Sequence, residues 1–91
     1  MAVEILQTHK LLASCEEALA ARYRVHKLHE APDREALLAS VKESVRAIAG
    51  GNVNGELMDK LPKLEVIANF GVGYDSIDTK AAQRRKIHVT N

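Results

Sequence analysis

Cysteine and aromatic residues are nearly missing from this chain: among its 91 residues are one Cys, no Trp, one Phe and two Tyr. A lone Cys15 cannot close an internal disulfide and is too little for a zinc ribbon, so a secreted, disulfide-stapled mini-protein is excluded. A reducing cytoplasm is the expected compartment. An excess of charge of one sign is also absent. Thirteen Lys and Arg against twelve Asp and Glu leave +1, which gives no electrostatic footprint for nucleic acid or an anionic membrane. No apolar run approaches the ~20 residues of a bilayer span, and Met1-Ala2-Val3-Glu4 lacks the basic start of a signal peptide.

What is present is aliphatic. Hydrophobic residues make up 46% and charged residues 27%, the mix of an ordinary folded chain, and the length fits one small domain over residues 1–91. With Tyr23, Phe70 and Tyr74 as its only aromatics, the core must be built from Ala, Val, Ile and Leu. Those residues suit parallel strands buried on both faces, which read as short continuous apolar runs.

Five such runs recur at roughly 20-residue intervals, the spacing of strand–helix units rather than hairpins. They are residues 3–6, 23–28, 45–49, 64–70 and 87–90. The second alternates polar and apolar, as an edge strand does; the third and fourth are the most apolar and belong in the middle. Arg46 and Glu65 intrude near the starts of those two, which fits strand ends.

Helical patterns fill the gaps. Ser14-Cys15-Glu16-Glu17 reads as a capping box, followed by a stripe of Cys15, Ala18, Leu19 and Tyr23. A second helix starts near Pro32, placed in its first turn with Asp33 and Glu35 at the positive end of the dipole. Its apolar stripe is Leu37, Leu38, Val41 and Val45. A third helix covers Glu56 to Leu61 before Pro62, and a fourth runs from about Ser76 to Arg85. The order is βαβαβαβαβ. Right-handed crossovers then give an α/β, flavodoxin-like, five-stranded parallel sheet of order 2-1-3-4-5. In that order a first and a fifth helix share one face. The chain ends on its fifth strand, so the fifth helix is expected to be lacking and that face to be covered either by another part of a longer parent protein or by copies of this chain.

Ligands of such sheets bind beyond the carboxyl ends of the strands, where strand order reverses. That rim comprises Thr8 to Leu12, Gly50 to Gly55 and Gly71 to Asp75. In the last, Gly71-Val72-Gly73 allows a sharp turn whose amides can converge on one anion ahead of a helix. A plain tight turn reads equally well. It is not a dinucleotide fingerprint, because Ser76 stands where a third glycine belongs and the motif follows strand four. Asn52 and Asn54 can hydrogen-bond a small ligand or simply serve the turn.

The other candidates are weaker. Cys15 falls on an apolar stripe, as a buried inert thiol does. His9, His26, His29 and His88 have no metal-ligand spacing, and His26 and His29 on one strand point to opposite faces. Arg84-Arg85-Lys86 can grip phosphate, yet cations at a helix C-terminus are expected on dipole grounds alone. No Ser/His/Asp set assembles, and a proton shuttle is missing. Catalytic and metal-binding residues are therefore expected to be none.

The segment Leu64-Glu-Val-Ile-Ala-Asn-Phe-Gly-Val-Gly-Tyr-Asp-Ser-Ile-Asp78, continued by Ala81-Ala82 and Ile87-His-Val-Thr-Asn91, resembles the D-isomer-specific 2-hydroxyacid dehydrogenases, nearest their glyoxylate/hydroxypyruvate reductase branch. The likeness covers the whole chain in layout and is specific over residues 61–91. It implies a two-domain NAD(P)-dependent parent whose flavodoxin-like substrate domain contains this chain as its N-terminal part. The Rossmann cofactor domain lies elsewhere. Position by position, the amides of Val72 and Gly73, in the loop opened by Gly71, would hold the substrate carboxylate. Leu11 and Asn52 would line the substrate side of the cleft. The family's catalytic Arg, Glu and His and its dinucleotide loop have no counterpart here. The implied reaction is hydride transfer to a small 2-oxoacid, with no cofactor bound by this chain and no activity of the chain alone.

Two rivals come from other classes. A stand-alone flavodoxin-like module would need a hydroxyl- and Gly-rich loop after strand one, which Gln7-Thr8-His9-Lys10-Leu11-Leu12 is not. A receiver domain would need an acidic pair there. A self-associating structural unit, joined through the bare face, is compatible with the dehydrogenase resemblance.

Overall fold

A computed structural model describes residues 3–51, 53–68 and 77–90. Its strands are β1 (Glu4–Gln7), β2 (Arg24–Lys27), β3 (Val45–Ala49), β4 (Val66–Ala68) and β5 (His88–Thr90). The helices are α1 (Ala13–Arg22), α2 (Arg34–Val41), α3 (Gly55–Asp59) and α4 (Thr79–Arg84), with a 3-10 turn at Leu28–Glu30. All strand pairs are parallel and the order is β2-β1-β3-β4-β5, as the spacing of the apolar runs requires. The alternating second run is an edge strand with no buried residue, and β3 lies at the centre.

Helix starts follow side-chain capping closely. Asp33 accepts from the Ala36 amide at 3.1 Å, Asn54 from Leu57 at 2.9 Å and Asp78 from Ala81 at 3.0 Å. Three expectations shift accordingly. Pro32 precedes the α2 cap instead of standing in the first turn, and α3 begins at Asn54–Gly55. The Ser14–Glu17 capping box does not form. The cap of α1 is Leu12, which has no side-chain acceptor, and Glu16 reaches back to the Leu11 amide at 3.0 Å.

The two faces of the sheet are unequal. Sixteen buried residues among those described, including Leu6, Ile48 and Ile67, form a continuous core under α2, α3 and α4. The opposite face carries a small cluster of Ile5, Leu11 and Ala49, with Cys15 and Leu19 of α1 packed against it. None of the residues of α1 is buried, and Ala18 and Tyr23 of its expected stripe are exposed. A bulge at the start of β3 sharpens the asymmetry. Glu4 pairs with Val45 and Ile5 with Ala47, so Arg46 is the extra residue. The bulge resets the alternation: Val45 and Ile48 both enter the main core, while Arg46 emerges on the α1 side, beside Glu65. That placement accounts for two charges next to otherwise apolar central strands.

Candidate functional site

The strand order reverses between β1 and β3, and the loops leaving those strands lie side by side at the carboxyl edge. The Thr8 amide continues the ladder by donating to the Ala49 carbonyl at 3.1 Å, and its hydroxyl donates to the Gly51 carbonyl at 2.6 Å. The Gly50 amide donates in turn to the Ala68 carbonyl at the end of β4, at 2.8 Å. Gly50 has φ of +123°, and a Cβ there would lie 2.5 Å from the Thr8 hydroxyl and 3.1 Å from the His9 ring. Both the backbone conformation and the close approach of the two loops require glycine at this position.

A second lock joins the loop after β3 to the segment entering α4. Val53 and Ile77 form a parallel bridge, and the Asp78 amide donates to the Val53 carbonyl at 2.9 Å. Both side chains are buried, so the bridge is anchored in the main core. Asn52, Gly71, Val72 and Gly73 lie outside the described residues. Residues near them are held together, Gly50 to Ala68 and Val53 to Ile77. Leu11 is 8% exposed and packs inward on Ile5 and Ala49, forming the apolar backing of the loop after β1.

Beneath that loop is a polar group absent from the sequence reading, which stopped strand one at Leu6. Gln7 is fully buried. Its amide nitrogen donates to the His9 carbonyl at 3.0 Å and to Glu16 Oε2 at 2.8 Å. The same carboxylate oxygen accepts from the Leu11 amide. These two donors hold the Glu16 carboxyl below the usual glutamate range, with smaller help from Lys27 and His29. The available signal was a lone amide closing an apolar strand, nine residues before an acid in the first turn of a helix.

Other sequence candidates are committed elsewhere. The Asn54 side chain caps α3. Arg85 bonds Asp59 at 2.9 Å and the Ala81 carbonyl at 2.9 Å, clamping α3 to α4. His26 bonds Glu4 across the sheet at 2.8 Å, and His29 sits in the 3-10 turn instead of on the strand. Cys15 is half-buried. No group of three or more metal-ligating side chains gathers among the described residues, and no helix there is long and apolar enough to cross a membrane.

A flavodoxin-like parallel sheet whose strand order reverses between β1 and β3 is thus the class of structure. The particular family follows from comparison with known proteins. Residues 4–91 match the model of the D-isomer specific 2-hydroxyacid dehydrogenase catalytic domain, and the chain belongs to that family. It is 32% identical to hydroxyphenylpyruvate reductase of Plectranthus scutellarioides over 99% of this chain and 30% of the relative. A 2-hydroxyacid dehydrogenase of Ketogulonicigenium vulgare Y25 superposes on 100% of this chain and 30% of its own, at 43% identity and a TM-score of 0.89. An NADPH-dependent glyoxylate/hydroxypyruvate reductase of Sinorhizobium meliloti, in complex with NADP and malonate, superposes on 100% of this chain and 28% of its own, at 32% identity and a TM-score of 0.79. The chain spans about 30% of the length of these relatives.

Proposed function

We propose that this chain forms the substrate-facing wall of an NAD(P)-dependent D-2-hydroxyacid dehydrogenase that reduces small 2-oxoacids such as glyoxylate or hydroxypyruvate. The observation that carries the reading is the Val53–Ile77 bridge. It pins the flanks of two Gly/Asn-rich rim segments, those after β3 and β4, against each other beside the switch point of the sheet. In this reading the Val72 and Gly73 amides, in the loop opened by Gly71, receive the substrate carboxylate. Asn52 and the backing supplied by Leu11 bound the substrate side.

The turn after β1 does not fit the phosphates of a dinucleotide. Its Thr8 and Leu11 amides are already donated to Ala49 and Glu16, and the Glu16 carboxylate stands at the start of α1, where a pyrophosphate would sit. The role of this chain is therefore to bind and orient the acid. Hydride transfer belongs to residues and a cofactor site outside it, and the chain alone is expected not to turn over. Glyoxylate titrated into the labelled 91-residue chain should move the Val72 and Gly73 amide resonances saturably. A dispersed spectrum that ignores both glyoxylate and hydroxypyruvate would falsify the proposed site.

A second reading concerns the thin face. An open groove of about 430 Å³ runs beside α1, lined by Ala47, Ala49, Val66 and Ala68, with Leu19 and Tyr23 along one wall. Arg46 and Glu65 sit together at its end, presenting both signs of charge on one surface. The two are paired with each other within the chain, and a two-fold pairing of copies would exchange them, setting Arg46 of each copy against Glu65 of the other in place of its own. A second copy of this chain is the proposed occupant.

A further inference from the structure

The loop after β1 reaches the cleft from the thinly packed face, and its register depends on two side chains that no binding role uses. The Gln7 amide can point only one way. Reversing it would aim its oxygen at the His9 carbonyl and the Glu16 carboxylate, both acceptors, so the nitrogen must face them. The remaining oxygen is then buried with no donor among the described residues. An amide left half-satisfied in an apolar setting is destabilising compared with a leucine of similar volume, so packing alone does not explain a glutamine there.

We propose that Gln7 and Glu16 are a positioning pair that sets the loop from Thr8 to Leu12 against the substrate side of the cleft. The inference rests on the 2-oxoacid reading for its consequence, but its geometry stands on its own. Gln7 fixes the His9 carbonyl, Glu16 fixes the Leu11 amide, and the bond between the two residues ties both to the last residue of β1. Thr8 then passes the constraint to Gly51, and Val53 passes it to Ile77 and Asp78. Three rim segments share one hydrogen-bonded frame, with buried Gln7 and half-buried Glu16 at its end. The charged neighbours of Glu16 are Lys27, at 3.9 Å, and His29, with Glu30 beyond them, bonded to both. None of them contacts the Leu11 amide among the described residues.

The test uses the labelled 91-residue chain and the variants Gln7→Leu and Glu16→Gln. In the wild type the Leu11 amide resonance should titrate with the Glu16 carboxylate, at a midpoint below the usual glutamate value. Gln7→Leu should raise that midpoint, speed hydrogen exchange at Leu11 and weaken glyoxylate binding by about tenfold, because a smaller fraction of the loop is in the competent register. Glu16→Gln keeps an acceptor and the packing but should abolish the Leu11 titration, so it decides the matter if Gln7→Leu fails to fold. A Leu11 midpoint and a glyoxylate affinity both unchanged in Gln7→Leu, or a Leu11 titration that persists in Glu16→Gln, would overturn the positioning pair. A wild type whose Leu11 titrates as expected but which ignores glyoxylate would overturn the oxoacid reading and leave the frame standing.

Discussion

Replacing Gly50 with alanine tests the interlock of the rim loops directly. At φ of +123° a non-glycine residue carries strain of about 1–3 kcal/mol. The new methyl would sit 2.5 Å from the Thr8 hydroxyl, so Thr8 must move and its 2.6 Å bond to the Gly51 carbonyl breaks, a further loss of about 1 kcal/mol. The sum is about 2–4 kcal/mol, a large part of the stability of so small a chain. With a urea slope near ~1 kcal/mol/M for a chain this short, the unfolding midpoint should drop by roughly 2–4 M, or the variant should be unfolded without urea. Thr8→Ala removes the clash but not the backbone strain. Gly50→Ala should therefore cost less by about 1 kcal/mol when introduced into Thr8→Ala than into the wild type. Urea unfolding of the four members of this cycle is the assay. A Gly50→Ala penalty under ~0.5 kcal/mol, or one that is identical in both backgrounds, would refute the close approach of the two loops.

Two other outcomes are expected. The carboxyls of Glu4, Glu16 and Asp59 are held below their usual values by His26, by the Leu11 and Gln7 amides, and by Arg85 respectively, so their contribution is complete above pH 4.5 and is lost as pH falls through the lowered values. The thermal midpoint should fall as the solution is acidified below pH 4.5, less steeply in Glu16→Gln, and a midpoint flat down to pH 3 would contradict those bonds. Self-association should appear in sedimentation velocity between micromolar and millimolar chain. Val66→Lys, whose stem can lie along the sheet while its charge blocks pairing, should give a monomer, and an oligomer unaffected by Val66→Lys would remove the α1-side groove as the contact.

The strand order was legible because five aliphatic runs at strand–helix spacing admit few right-handed topologies, and β3 matches its run at both ends. The capping residues Asp33, Asn54 and Asp78 were also present as local signals, although only Asp33 was read as favouring a helix start. What sequence patterning missed has one physical origin. The bulge at Arg46, the Gln7–Glu16 bond and the Thr8–Gly51 bond are contacts between distant segments, and none leaves a period in the chain. Glu17 was the better capping-box candidate by spacing. Glu16 reaches back instead because α1 starts two residues earlier than the box requires, at a cap with no acceptor of its own. The rim segments leaving β1 and β3 lie at the carboxyl edge of the sheet, and that position follows from topology alone. Their mutual locking did not follow.

The unequal faces of the sheet also explain why the rim is held by two kinds of force. Loops on the α2–α4 side can rely on apolar burial: Val53 and Ile77 are part of the main core, and their bridge sits on that foundation. The loop after β1 has no such foundation. Among the described residues, Leu11 shares its cluster with the buried Ile5 and Ala49, beneath a helix that buries none of its own. Apolar contact there is non-directional and too sparse to select one loop register over its neighbours. Directional bonds can do so, and a carboxylate that accepts two amides is among the stronger ones available. The glutamine and the acid thus stand where apolar packing among the described residues is sparse, at the loop that leaves β1.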